Sequence, residues 1–534
     1  MLEPGNSEAR HITTAAILGL VSFGLLLWVA VKPSLAGVNS DAAVYLLMAD
    51  WLSPWRATDF DFGPQLFAHY SFPPLYPLVL AALGGGSGVP RIDYTVNAFA
   101  QAVAVAATYC WARRIGCGQP AAVLSALSLA ITPIALFTAM GIFSEPLYLA
   151  LSMTGLAVVC GPQISSRAWH AAALLFGLAA VTRSVGLFAV FALLLTWVWR
   201  TRAREARWVP LLALAPSVLW LLVKASNGWQ GGYVSTVFAG GVARVALALL
   251  AQLPTNLHAL TYHFVRCFDS LNSQHSAVML AVLVLPATLC FVQRLRAGWA
   301  DAWYAALYLL VLMLWPYPNH FARFLLVLLP LFCAYSCLGV ALLLARCGVY
   351  RLRAFSGAVT AGLLVLVLLP SFVQVLHHIN GASTAQAREY TRISSWYGHD
   401  SLSEARVSTA FSLRVLKTMA SIAAHLPPDG CVSSTMAEMF MLYGRRWGRP
   451  PPPQHADLDS LRAALAACPY VLLLGASTAA SADFPRYYPA ARVANELSTL
   501  VVVPLDDRQS KNTPQAILAR YEGLRATSGQ ARRQ

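Results

Sequence analysis

Four charged residues stand out in a chain that carries few. Asp41 follows the first long apolar run, in NSDAAVYLLMADWL (39–52), and Glu145 opens another in FSEPLYLALS (143–152). A carboxylate beside a hydroxyl can take its proton or orient it for attack on an electrophilic carbon. Arg183, in AAVTRSVGLFAV (179–190), and Arg323, in PNHFARFLLVLLPLF (318–332), interrupt apolar runs. A guanidinium at membrane depth needs an anion, and its planar fork matches a phosphate. No acid lies near Arg183 in the sequence, so a phosphate is its expected partner. His69 and Tyr70 of HYSFPPLYPLVLAALG (69–84), Tyr45 and His320 are the further candidates for touching a substrate. Each has a plainer reading: the acids start helices, the arginines anchor lipid headgroups, and a lone histidine is an interface residue. Asp59 and Asp61 in TDFDFG form an acid pair that fits a turn better than a metal. No phosphate-binding glycine loop, zinc spacing or nucleophile elbow is present.

The elements that must hold these residues are membrane helices. Of 534 residues 57% are hydrophobic and only 11% charged, which excludes an ordinary soluble domain. The net charge of +15 is not a nucleic-acid footprint, because up to residue 376 the arginines sit in short loops between apolar spans. The clusters are Arg10; Arg113 and Arg114; Arg167; Arg200, Arg202, Arg204 and Arg207; Arg294 and Arg296; and Arg346, Arg351 and Arg353. All are expected on the cytoplasmic side. Residues 169–199 are too long for one crossing: as a single helix they would reach about 46 Å against about 30 Å of hydrocarbon. A fold-back at Arg183 resolves this. The spans then fall near 12–31, 93–112, 120–139, 143–160, 169–182, 185–199, 208–224, 276–293, 299–316, 321–345 and 354–376. About eleven helices result, with the first span retained, the N-terminus cytoplasmic and residues 377 onward outside. The first outer loop is 32–92, and 225–275 is a second. The acids gather outside: Asp41, Asp50, Asp59, Asp61, Asp93, Glu145 and Asp269. Tyr45, Met48 and Leu52 share a helical face with Asp41, which predicts an amphipathic helix lying at the membrane surface.

After residue 376 charge density rises. GCVSSTMAEMFMLYG, PYVLLLGAS and LSTLVVVPL contain β-rich runs, and DLDSLRAALAAC has helical spacing. These predict a small extracytoplasmic α/β domain over 377–510, with 511–534 a disordered tail. Cys431 and Cys468 each precede a predicted strand on the oxidising side; parallel neighbouring strands would allow a disulfide.

An acid after the first span, an aromatic four residues on, and then PPLYP across a loop resembles the membrane glycosyltransferases of the GT-C fold. These use polyprenyl-phosphate-linked sugars, and include the aminoarabinose transferases of lipid A and the protein O-mannosyltransferases. The three stretches around Glu145, Arg183 and Arg323 fit, and LPPDGCVSST with LYGRR resembles the extracytoplasmic domain that ends many members. The resemblance implies an inner- or plasma-membrane enzyme on whose outer face a sugar passes from a polyprenyl monophosphate to a lipid, glycan or protein acceptor. It implies Asp41 as the catalytic acid of the first loop, with inversion at the anomeric carbon. Many members carry an Asp-Glu pair in that loop; here Ala42 follows Asp41, so a second acid must come from elsewhere, Glu145 being the candidate. A divalent metal is left open. A transporter or flippase, or a ligase or polymerase acting on lipid-diphosphate glycans, is the alternative; no internal repeat or arginine-rich outer loop favours either.

Overall fold

The computed structural model describes residues 4–30, 40–55, 63–70, 72–85, 90–139, 141–161, 164–200, 206–229, 242–268, 274–315, 321–348, 350–380, 414–451, 457–476, 489–505 and 515–523. Among these, Ala9–Ala30, Val209–Ser226, Ser276–Arg296 and Leu329–Arg346 are long and apolar enough to cross a membrane. Gln119–Ile131 and Pro133–Ala139 pass together across a 49° bend. The bend has a local cause: Pro133 holds Thr132 extended, at ψ 149°, so the first helix must stop there. The chain is a membrane protein with a mostly helical fold.

The fold-back at Arg183 is present. Ser166–Ala180 and Gly186–Arg200 are helices of 15 residues each, joined by a tight turn in which the Gly186 N–H donates to the Arg183 carbonyl at 2.8 Å. A Cβ on Gly186 would lie 2.4 Å from the Ala179 carbonyl oxygen, so only glycine lets the helices approach there.

Several expectations need correction. Loop 225–275 contains the helix Val242–Phe268, with Pro254 inside it. Its polar residues alternate with apolar ones at helical spacing, and it packs against Phe321–Leu325. The predicted span 321–345 is two helices, Phe321–Leu325 and Leu329–Arg346, broken just before Pro330. The Asp41 helix, Ser40–Leu52, is not amphipathic: residues 42–50 are buried on every side. Its apolar residues contact the bundle on one flank and the C-terminal region on the other, where Ala43 packs with Met439 and Phe440, and Val44, Leu47 and Met48 with Met441.

The C-terminal region folds around a five-stranded mixed sheet of order β2-β1-β3-β5-β4, with β1 Val432–Ser434, β2 Gly448–Arg449, β3 Tyr470–Ala476, β4 Leu497–Pro504 and β5 Gln515–Tyr521. Strand β5 overturns the expected structureless tail at least through residue 521. It pairs antiparallel with both β3 and β4, and Ala516, Ile517, Leu518 and Ala519 are core residues. The polar run before it hid a four-residue apolar strand core. Strands β1 and β3 are parallel neighbours, with Val432 opposite Tyr470, and Cys431 and Cys468 just ahead of them are disulfide-bonded. Helix Ala437–Gly444 leaves β1 and lies against the Asp41 helix.

Candidate active site

The fold brings Asp41, Tyr45, Glu145, Arg183 and Arg323 to one point, although they come from four separate segments. Asp41 lies in the first turn of its helix, where the helix dipole favours a negative charge. Its carboxylate pairs with the Arg323 guanidinium, and Arg323 Nε stands 3.3 Å from Oε1 of Glu145. The same Oε1 is 2.5 Å from Arg183 Nη1. The charges therefore run Asp41, Arg323, Glu145, Arg183, two carboxylates alternating with two guanidiniums. Glu145, inside the chain of charges, is 1% exposed, Arg183 at one end 13% and Asp41 at the other 29%, so the chain opens toward Asp41. The sequence places no acid near Arg183; Glu145 is its partner, and the pairing is invisible there because it joins the fold-back turn to the start of a distant helix.

The surroundings explain how such charge is held. Pro146 gives the Glu145 helix its start, since its missing N–H has no intrahelical acceptor there anyway. Ser144, at the cap position, makes no capping bond. Its hydroxyl instead receives Arg183 Nη1 at 3.2 Å and meets the Tyr45 hydroxyl at 2.9 Å. The Phe324 ring lies 5.4 Å from both guanidinium carbons, and Phe143 lies 5.2 Å from that of Arg323. These ring faces stabilise the cations where water is scarce.

The PPLYP motif has a positioning role. The Leu75 N–H donates to the Val181 carbonyl at 3.0 Å, tying the first loop to the Arg183 turn. The next residue, Tyr76, is fully buried; its ring meets Tyr45 edge-on at 4.8 Å and its hydroxyl donates to Asn97 at 2.7 Å.

Tyr70 is not in the charge chain. Its hydroxyl donates to Oε1 of Glu438, on helix Ala437–Gly444, at 2.9 Å. Burial raises the Glu438 carboxyl above its ordinary range; the Tyr70 hydrogen bond opposes this and the nearby Asp41 charge adds to it. Burial, then the Glu438 charge, raises the Tyr70 phenol. Glu438, Ser144 and Phe143 are site residues that sequence reasoning missed. The one available signal was an acid in the otherwise apolar helix AEMFMLYG. The His69 side chain, His320, Asp59 and Asp61 lie outside the described residues. Asp41 and Glu145 both face guanidinium rather than each other. Among the described residues no three His, Cys, Asp or Glu side chains converge to hold a metal ion.

No family model matches the sequence, and neither does any curated protein. Solved structures do. The aminoarabinose transferase ArnT from Cupriavidus metallidurans, in its apo state, superposes with a TM-score of 0.50 at 14% identity, over 96% of this chain and 98% of that one. The chain has the GT-C fold. The same ArnT bound to undecaprenyl phosphate gives 0.48 at 14% identity, over 97% and 98%. The apo oligosaccharyltransferase of Archaeoglobus fulgidus gives 0.49 at 13%, over 87% of this chain and 69% of that one.

Proposed function

We propose that the protein is a membrane glycosyltransferase that moves a sugar from a polyprenyl monophosphate to a hydroxyl of a lipid, glycan or protein acceptor, on the extracytoplasmic face. One observation carries the reading: two guanidiniums and two carboxylates converge where an apolar helical bundle meets the first loop. The fold shared with ArnT, which has been solved with undecaprenyl phosphate, supports it. The arginine distribution supports a cytoplasmic N-terminus, with residues 1–376 as the catalytic helical part and 377 onward outside.

The geometry suggests how the residues divide the work. A phosphate is a stronger bidentate partner for Arg323 than a carboxylate that offers one oxygen. Donor binding would therefore draw Arg323 away from Asp41, while buried Glu145 keeps Arg183 and Arg323 in place and ionised. Asp41, now beside the sugar, orients the acceptor hydroxyl toward the anomeric carbon. The lipid phosphate leaves from the opposite face, which inverts that carbon. Tyr45, fixed by Ser144 and Tyr76, forms the wall against which the sugar rests.

The test is transfer from a mixture of radiolabelled undecaprenyl-phosphate sugars by the purified protein in vesicles, run with and without chelator. Wild-type protein should consume donor, and a folded Asp41→Asn variant should not. Equal consumption by both would remove Asp41 from the mechanism; the chelator arm decides whether a metal takes part.

A further inference from the structure

Glu438 belongs to the C-terminal region, yet it stands at the open end of the charge chain. Its setting differs from those of Glu145 and Asp41. Glu145 is enclosed by Arg183 and Arg323, and Asp41 is paired to Arg323. Glu438 takes a neutral partner instead, the Tyr70 hydroxyl, and no lysine or arginine contributes to its environment among the described residues. Its helix packs directly on the Asp41 helix, and the Asp41 charge reaches it. Tyr70 in turn stands 6.3 Å, ring to ring, from Phe72, which lies 5.0 Å from Tyr45. Glu438 and the charge chain thus share one aromatic wall. A carboxylate held by a guanidinium is a weak proton acceptor, because protonation forfeits the ion pair. A carboxylate held by a phenol, with burial favouring its neutral form, is a better one.

We propose that Glu438 is a catalytic residue supplied by the C-terminal region, acting as the general base for the acceptor. The inference rests on the glycosyl-transfer reading above. The acceptor oxygen bonds to the anomeric carbon, and its proton passes to the Glu438 carboxylate. The bond from the anomeric carbon to the phosphate oxygen breaks, and its electron pair leaves with the lipid monophosphate. Asp41 orients the hydroxyl from one side; Glu438 receives the proton from the other. The titratable groups facing Glu438 are Asp41 on the packed helix and Tyr70 on the first loop, and both belong to the site.

Azide tests this without knowledge of the natural acceptor, since it attacks carbon with no proton to lose. Undecaprenyl-phosphate sugar is incubated with wild type or Glu438→Gln in vesicles, and two products are counted: free sugar from attack by water and glycosyl azide from added azide. General-base loss should cut water attack by about 100-fold or more in Glu438→Gln. Azide attack should stay within about twofold of wild type, which also shows that the variant is folded and binds donor. Glu438→Asp should retain part of the water reaction. Tyr70→Phe removes a bond that stabilises the charged carboxylate, so the ascending limb of the pH–rate profile should move to higher pH. Parallel loss of both products would make Glu438 structural and overturn the proposal, as would an unchanged water rate. A wild-type protein that consumes no donor with either nucleophile would overturn glycosyl transfer itself, and the base assignment with it.

Discussion

Helix Gly186–Arg200 has a carboxylate–guanidinium assembly at each end, and the two are built differently. Beyond its N-terminal end, Arg183 joins the open chain that runs through Glu145 and Arg323 to Asp41. At its other end Arg200 lies 3.6 Å from the Trp299 ring, and that ring also covers Arg294, which grips Asp301 through two bonds of 2.8 and 2.9 Å. Asp301 is fully buried and both its oxygens are used by one guanidinium. In the first assembly a single oxygen of Glu145 serves two guanidiniums, and Asp41 keeps a third of its surface open. A saturated pair has nothing left to offer a ligand; an arginine that shares its acids does. The Arg294 pair accordingly reads as structural and the other as a site.

Removing one partner from each assembly should separate these roles. Asp301→Ala leaves Arg294 charged and buried, and should cost about 3–5 kcal/mol of stability, seen as loss of folded protein in thermal unfolding in detergent. Activity per folded molecule should barely change; a selective loss of activity would break the distinction. Asp41→Asn should do the opposite, lowering transfer by about 10³-fold with little change in unfolding temperature. Arg323→Lys keeps the charge but loses the fork, and should weaken undecaprenyl phosphate binding by about tenfold, measured by titration in nanodiscs. The smallest effect concerns pH. Glu438 is raised in the folded state, so the stability it contributes is present below the ordinary carboxylate range and fades as pH rises through the raised value. The stability of wild type should therefore fall relative to Glu438→Gln as pH goes from 4 to 7; a constant difference would contradict the shift.

Much of this was legible in the sequence, and the limits are physical. The fold-back could be read because too many apolar residues lay between two arginine clusters for one crossing. Asp41, Glu145, Arg183 and Arg323 could be found because charge in apolar surroundings is costly and so conspicuous. Their pairing could not, because it is set by which helices pack together. Asp301 was overlooked for a related reason: the acids were read as gathering on the outer side, while its partner Arg294 was counted only as a marker of orientation. The Asp41 helix was misread because Tyr45, Met48 and Leu52 form a stripe, yet the residues between them are apolar too. Glu438 was hidden by its neighbours in a strand-and-helix pattern that marks a domain and carries no sign of where the domain docks.

The helices that carry or support the site are also the short ones. Glu145–Val159, Gly186–Arg200 and Ala300–Met313 have 15, 15 and 14 residues, whereas Ala9–Ala30 and Ser276–Arg296 have 22 and 21. At 1.5 Å per residue the first group reaches about 22 Å and the second about 32 Å. A bilayer about 30 Å thick fits the longer helices and must thin beside the shorter ones. The protein would then sit in a dimple of its own making, beside these short helices. On the proposed function, a lipid-borne phosphate sliding into that hollow would reach the guanidiniums without being lifted out of its leaflet. On that same reading, acyl-chain length in the host membrane would then bear on the transfer rate, with thinner bilayers easing the donor's approach.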